Sequence, residues 1–408
     1  MSESRFVILG GGMVAGYAAK QFVELGLKPG ELAIISADTA VPYERPPLSK
    51  GFLAGKDTED AIRINSENFY REHRVEIKLG CEASSVDTSR KRLLLKTGGE
   101  VGFEKLIIAT GARPRTLNVP GAGLGNVYYL RSLDDSKSVR RSAENVKQAA
   151  VIGGGFIGME VAAVLAQKGI EVTMVLNEDR IWKRFFSPQM SAFFESYYAD
   201  RGIRLVKSAI VKQLRGNGIV SSVALADGQS VPCQMVVAGI GVTPLTEVLA
   251  TSGLEVQDGV MVNEYLRTRH ADIYAAGDVA SYQDVIFGKR RRVEHWDNAV
   301  SQGQYCARAL MGDQTPFRHV PYFFSDVFDL SYEYWGDASG ADELIHRGDL
   351  ASKSFSVWWL QQQRVVAVFT MNRPDEEREA APKWIEEKRV VSPAKLKDTS
   401  APISNMLE

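Results

Sequence analysis

Two glycine clusters carry the first chemical signal in this 408-residue chain. Gly10, Gly12 and Ala15 follow the apolar run Phe6-Val7-Ile8-Leu9, and Gly153, Gly155 and Gly158 follow Ala149-Ala150-Val151-Ile152. In each, the first glycine permits a tight turn and the second lets backbone approach a pyrophosphate. The third small residue lets a helix pack closely on a strand. Each turn opens a helix, Met13 to Leu25 in one case and on to about Lys168 in the other, whose first N–H groups and dipole favour an anion. Acids at the end of the following strand complete the pattern. Asp38 lies 28 residues after Gly10, where it can hydrogen-bond a ribose, and Glu178 lies 25 after Gly153. Glu178 would accept from the 2′- and 3′-hydroxyls of NADH and repel a 2′-phosphate, with Arg180 and Arg184 close behind to offset that repulsion; NADH is favoured and NADPH remains possible. Two such sites in one chain mean two dinucleotides.

The elements that must position these loops follow in order. Leu32 to Ser36 is a short apolar strand, Val75 to Leu79 and Arg92 to Lys96 read as further strands, and Thr97 to Glu100 reads as a hairpin-like break. Residues 57 to 73 are polar and helical in part. Lys105 to Ile108 is a buried strand ending in Ala109-Thr110-Gly111, and Met235 to Pro244 repeats that strand and turn at the close of the second lobe. Thr268 to Asp278 is a strand running into Gly277-Asp278, which places a carboxylate at a strand end. Between Asp38 and the next strand, Val41-Pro42-Tyr43-Glu44-Arg45-Pro46-Pro47-Leu48-Ser49-Lys50 is a proline-stiffened loop holding Arg45 and Lys50, suited to a charged ligand. The fold class is therefore α/β, with two Rossmann-like dinucleotide-binding domains and a C-terminal α+β domain. Residues 1–117 with 245–318 form the first, 118–244 the second, and 319–408 the third, alternating around 353 to 371 and ending in a loosely held polar tail of 17 residues.

Forty-nine basic side chains against 50 acidic ones give a net charge of −1, which argues against nucleic acid or a membrane surface as partner. The most apolar window, Ala149 to Ala166, contains Glu160 and a triple glycine and reads as strand, turn and helix rather than a membrane span. No signal peptide fits before the first strand. Cys81, Cys233 and Cys306 form no CxxC or CxxxxC pair, which points to a reducing, cytoplasmic setting and excludes a dithiol centre or metal cage.

The order of these motifs, with Val293-Glu294-His295-Trp296, resembles the FAD-dependent pyridine nucleotide reductases: bacterial oxygenase ferredoxin reductases, plant monodehydroascorbate reductases and apoptosis-inducing-factor-like proteins. The resemblance spans essentially the whole chain. It implies FAD held by Gly10, Gly12, Ala15, Asp38, Arg45, Lys50, Ala109, Thr110, Gly111 and Asp278, with Trp296 against the isoalloxazine. NAD(P)H would be held by Gly153, Gly155, Gly158 and Glu178. Lys50 would pair with Glu160 as the catalytic pair, the ammonium stabilising negative character on the reduced ring and the carboxylate keeping it charged and placed.

With no cysteine between residues 1 and 80, electrons must leave the flavin directly, and a one-electron acceptor is the natural partner. The similar plant enzymes carry Asp-His-Ala-Arg after Val-Glu-His and Tyr-Phe-Tyr-Ser-Arg later; this chain has Val300, Phe324 and Asp326 where they have a cation, a phenol and a second cation. Trp296, Asn298, Ala299, Gln302 and Gly303 follow the bacterial ferredoxin reductases instead. The leading expectation is thus a ferredoxin-type iron–sulfur acceptor, docked in part by the basic run Lys289 to Arg292. The alternatives are a monodehydroascorbate or quinone reductase and, in another class, an apoptosis-inducing-factor-like redox sensor. A monomer or homodimer suits all three.

Overall fold

The computed structural model describes residues 2–183 and 185–407; Arg184 lies outside them. The chain divides into two compact units, one of Met1–Arg45, Glu59–Arg113 and Thr243–Tyr322, the other of Pro46–Thr58, Pro114–Val242 and Phe323–Glu408.

The first unit is built on a sheet of strand order Glu76–Lys78, Leu32–Ile35, Ser2–Leu9, Glu100–Ile108, Arg92–Leu95, Ala83–Asp87, with Ile273–Ala275 also paired to Glu100–Ile108. The pairs at its centre are parallel, Phe6 opposite Leu32 on one side and Lys105 on the other. Leu32–Ile35 is buried at every position, as a strand covered on both faces must be. Glu100 belongs to the long strand rather than to the hairpin break, because Val101 and Phe103 are buried with the rest of it. The polar stretch before Arg74 yields one short helix, Glu67–Glu72, with Ser66 capping it by accepting from the Phe69 N–H. The Met13–Glu24 helix buries Val14, Ala18 and Phe22, and the Phe22 ring lies 4.8 Å from Phe6. The Trp296–Leu310 helix lies directly on it, since a Cβ at Gly303 would fall 2.7 Å from the Val14 carbonyl oxygen.

In the second unit a parallel sheet runs Arg204–Val206, Glu171–Val175, Gln148–Ile152, Met235–Ala238, Val127–Tyr128. A five-stranded antiparallel sheet, Tyr322–Val327 through Arg364–Met371, forms the C-terminal part, with the Asp375–Glu386 helix against it. Its strand Ser354–Gln361 does not alternate as expected. Phe355 to Leu360 are all buried, because aromatic side chains cover both faces. Trp182, Phe186, Phe194, Tyr332 and Phe369 stack in one cluster, with Trp182 4.6 Å from Phe186 and 5.3 Å from Tyr332. Each such ring, fully buried, contributes roughly 1.5–3 kcal/mol.

The expectation of a loose tail is wrong. Pro393–Lys397 is helical, Leu396, Ile403 and Met406 are buried, and buried Arg347 donates to the carbonyls of Leu396, Asp398 and Ala401. Polarity along the segment concealed three apolar anchors and an internal cation waiting for acceptors.

Candidate functional site

Gly10 has φ +125°, and a Cβ there would fall 2.1 Å from the Ala109 carbonyl oxygen, so only glycine turns the strand into the helix. Gly12 caps the Met13–Glu24 helix without a side-chain bond and with no acid in the first turn, leaving its N–H groups to an incoming anion. The atom nearest to a Cβ at Gly12 is Arg45 Nη2, at 3.4 Å, which puts a guanidinium over the loop. Ala15 is fully buried. Asp38 is shaped by its own turn, accepting from the Ala40 N–H at 3.1 Å and the Tyr43 hydroxyl at 2.8 Å, and its carboxylate keeps acceptor capacity beyond these two bonds. Thr110 donates to the Leu245 carbonyl at 2.6 Å and Gly111 accepts from the Leu245 N–H, closing the strand end beside Gly10.

Asp278 is buried at the end of the Ile273–Ala275 strand. The neighbouring Gly277 N–H donates to Gln302 Oε1 at 2.7 Å, while Gln302 Nε2 and Asn298 Oδ1 are buried without a hydrogen bond among the described residues. Trp296 opens its helix and donates from Nε1 to Glu44 Oε2 at 2.6 Å; the Tyr17 hydroxyl donates to the other oxygen. Burial first, then Glu44, pushes the Tyr17 phenol well above its ordinary range. A glycine cradle, a guanidinium and two unsatisfied buried amide atoms fit a ligand that is anionic at one point and rich in hydroxyls and ring nitrogens at others.

The second loop repeats the first. Gly153 has φ +109° with Gly239 O 2.3 Å from where its Cβ would be, and a Cβ at Gly158 would meet Gly153 O at 2.2 Å. At Gly155, the N-cap of the Phe156–Gln167 helix, a Cβ would meet nothing within 4 Å, which leaves room for a phosphate. Glu178 is exposed just after the Glu171–Val175 strand. Arg180 is committed to its own loop, donating to Phe186 O, Ser191 Oγ and Lys183 O, and so is not offered to a 2′-phosphate.

Glu160, on the same helix, is only 4% exposed. Its Oε1 lies 2.7 Å from Lys50 Nζ and accepts from Ser325 at 2.5 Å, and its Oε2 accepts from Ser49 at 2.5 Å. Three donors offset the desolvation of one buried carboxylate. Lys50 follows the Pro46–Ser49 turn, which Ser136 anchors by donating to Leu48 O at 2.7 Å, and its ammonium stands 5.2 Å from the centre of the Phe324 ring. The Tyr198 and Tyr332 phenols are pushed far up by burial, with the Glu160 charge adding to it.

Three side chains of the basic run have partners within the fold. Arg290 donates to Val262 O and Ser281 O, Arg291 pairs with Asp284 at 3.1 Å, and Arg292 pairs with Asp258 and Glu294. Spacing alone cannot distinguish a solvated charge run from one whose partners arrive from neighbouring strands. Sequence reasoning also gave Glu44, Ser49 and Ser325 no contact of their own. Ser49 adjoins Lys50 in the loop, whereas nothing local marks Ser325.

Residues 4–303 match the pyridine nucleotide-disulphide oxidoreductase family and residues 322–407 the reductase C-terminal family. The chain belongs to the FAD-dependent pyridine nucleotide reductases. Among curated relatives it is 37% identical to the peroxisomal monodehydroascorbate reductase 4 of Arabidopsis thaliana, over 95% of this chain and 83% of that one. Among solved structures it is similar to the ferredoxin reductase for the CYP199A2 system from Rhodopseudomonas palustris, with TM-score 0.94, 33% identity, and 98% and 99% of the two chains covered. The reductase in a covalent putidaredoxin reductase–putidaredoxin complex matches with TM-score 0.95 and 31% identity over 99% and 98%. The protein is thus an NAD(P)H-dependent flavoprotein oxidoreductase using FAD. Within this reductase family, whose name includes disulphides, its cysteines are free and Cys233 and Cys306 are buried. Among the described residues no helix is long and apolar enough to cross a membrane.

Proposed function

We propose that this reductase passes electrons from NADH to a ferredoxin-type iron–sulfur protein. The observation that carries the choice is the pair Phe324 and Asp326. The Phe324 ring faces the Lys50 ammonium and Asp326 presents an exposed carboxylate, so a small organic anion finds neither a phenol nor a second cation there. The likeness to two iron–sulfur-protein reductases over nearly their whole length supports the same reading. A second reading, reduction of the monodehydroascorbate radical, is favoured by the identity to the plant enzymes.

FAD would be held by residues 1–117 and 245–318, through Gly10, Gly12, Ala15, Asp38, Arg45, Lys50, the turn Ala109 to Gly111, Asp278 and Trp296. NADH would be held by residues 118–244, through Gly153, Gly155, Gly158 and Glu178, the exposed acid accepting from the ribose hydroxyls. Bound FAD supplies the step from a two-electron donor to a one-electron acceptor. Lys50 offers a fixed positive charge to whatever negative charge develops, and Glu160 holds that ammonium in place. Three free cysteines suit a reducing compartment such as the cytoplasm.

The test is NADH oxidation by the FAD-loaded protein with two acceptors side by side, ferredoxin coupled to cytochrome c and enzymatically generated monodehydroascorbate. Turnover with ferredoxin at least about tenfold above that with the radical is expected. The reverse preference would transfer the assignment to the second reading.

A further inference from the structure

Glu160 is satisfied by three donors from two separate parts of the chain: Ser49 and Lys50 from the proline loop, and Ser325 from the Tyr322–Val327 strand, 165 residues away. Ser325 and Glu160 are both buried, Ser325 completely. The ionisable groups facing the carboxylate are Lys50, Tyr198 and Tyr332. The Tyr198 hydroxyl donates to the Met159 carbonyl at 3.0 Å and the Tyr332 hydroxyl lies beside Ser325, so neither phenol donates to Glu160 among the described hydrogen bonds.

We propose that Ser325, with Ser49 on the opposite oxygen, is a positioning residue for Lys50. Its hydroxyl fixes the Glu160 carboxylate in one orientation, so the ammonium keeps its direction. A buried carboxylate held on both oxygens has a single orientation, and one deprived of a donor turns toward those that remain. Alanine at 325 would leave a gap of about one oxygen atom, less than a water molecule needs, so solvent would not replace the lost donor. Lys50 would then balance Oε1 alone. The carboxylate would turn about its remaining bond to Ser49, and the ammonium would move with it. This inference rests on the reading that Lys50 serves the flavin, but not on which acceptor follows.

The experiment is the midpoint potential of FAD in the loaded protein, measured by spectroelectrochemistry at neutral pH for wild type, E160Q, S325A, S325T and S49A. E160Q leaves the ammonium uncompensated and should lie above wild type, since positive charge favours the reduced, more negative ring. A tenfold gain in that stabilisation reads as about 30 mV. S325A leaves the ammonium poorly aimed and should lie below wild type. S49A should fall likewise, and S325T, which keeps the hydroxyl, should match wild type. If S325A and S49A match wild type while E160Q is displaced, the hydroxyls are packing groups and the proposal fails. If E160Q is not displaced either, the reading that Lys50 and Glu160 serve the flavin fails, and this proposal with it.

Discussion

Lys50 and Glu160 sit 2.7 Å apart in a setting that excludes most solvent, and the energetics of the pair follow from that. Removing either partner leaves the other buried and uncompensated, which costs more than the pair gains by existing. Stopped-flow reduction of K50A by NADH should therefore be slower than wild type by about a hundredfold, with FAD still bound through the glycine loop and Arg45. Unchanged reduction would remove the pair from hydride transfer. At the nicotinamide end, E178A should narrow the preference for NADH over NADPH by about tenfold, measured as a ratio of kcat/KM values. It should not reverse it, because Arg180 is occupied with its own loop. The glycine loops were legible because a tight approach of backbone to backbone leaves no room for any other residue, so chemistry is written directly in residue type. The Ser325 contact was not legible, since a hydroxyl becomes a donor to Glu160 only through tertiary placement.

At the scale of elements, the outcomes differ by how local the controlling interaction is. Strands and helices around both glycine turns lie within a few residues of where periodicity places them, because each buries a continuous apolar run. The C-terminal segment departs from expectation because Arg347, which holds it, lies 49 residues before Leu396. Buried Glu377, pushed up by burial but held below the usual range by Arg373, Arg347 and Ser356, anchors Arg347 against the terminal carbonyls. R347A should lose about 3 kcal/mol in chemical denaturation and expose residues 392–407 to proteolysis. Charge reversal at Arg290 and Arg291 should lower thermal stability rather than raise the KM for ferredoxin, as both side chains tie strands of one sheet together. His295 gives this unit a pH response. Burial, then Arg291, pushes it down to about 4, below its unfolded value near 6.5, so the unfolded chain takes up the proton first. The contribution is complete above about pH 6.5 and is lost progressively toward pH 4. Thermal melts should fall by several degrees between neutral and about pH 5, and H295Q should flatten that fall.

Across the whole molecule, the α/β class and the two dinucleotide lobes were readable because the same strand, turn and helix signal occurs twice. The grouping of Pro46–Thr58 with Pro114–Val242 and Phe323–Glu408 was not, since short segments carry no mark of the unit they join. The cysteines bear on the whole mechanism. Burial pushes the Cys233 thiol up to about 11 and raises Cys306 further. A variant with all three cysteines changed to alanine should keep its NADH-linked turnover within about twofold, which no enzyme cycling through a thiol could do. The strand Ile273–Ala275 completes a sheet whose other members end at Ile108. On the ribosome, then, the first unit must wait with its central strand open along one edge while all of Pro114–Val242 is synthesised, and that intervening sheet can close before the one that precedes it. The nascent first unit is thus open to mispairing along that edge until Ile273–Ala275 emerges.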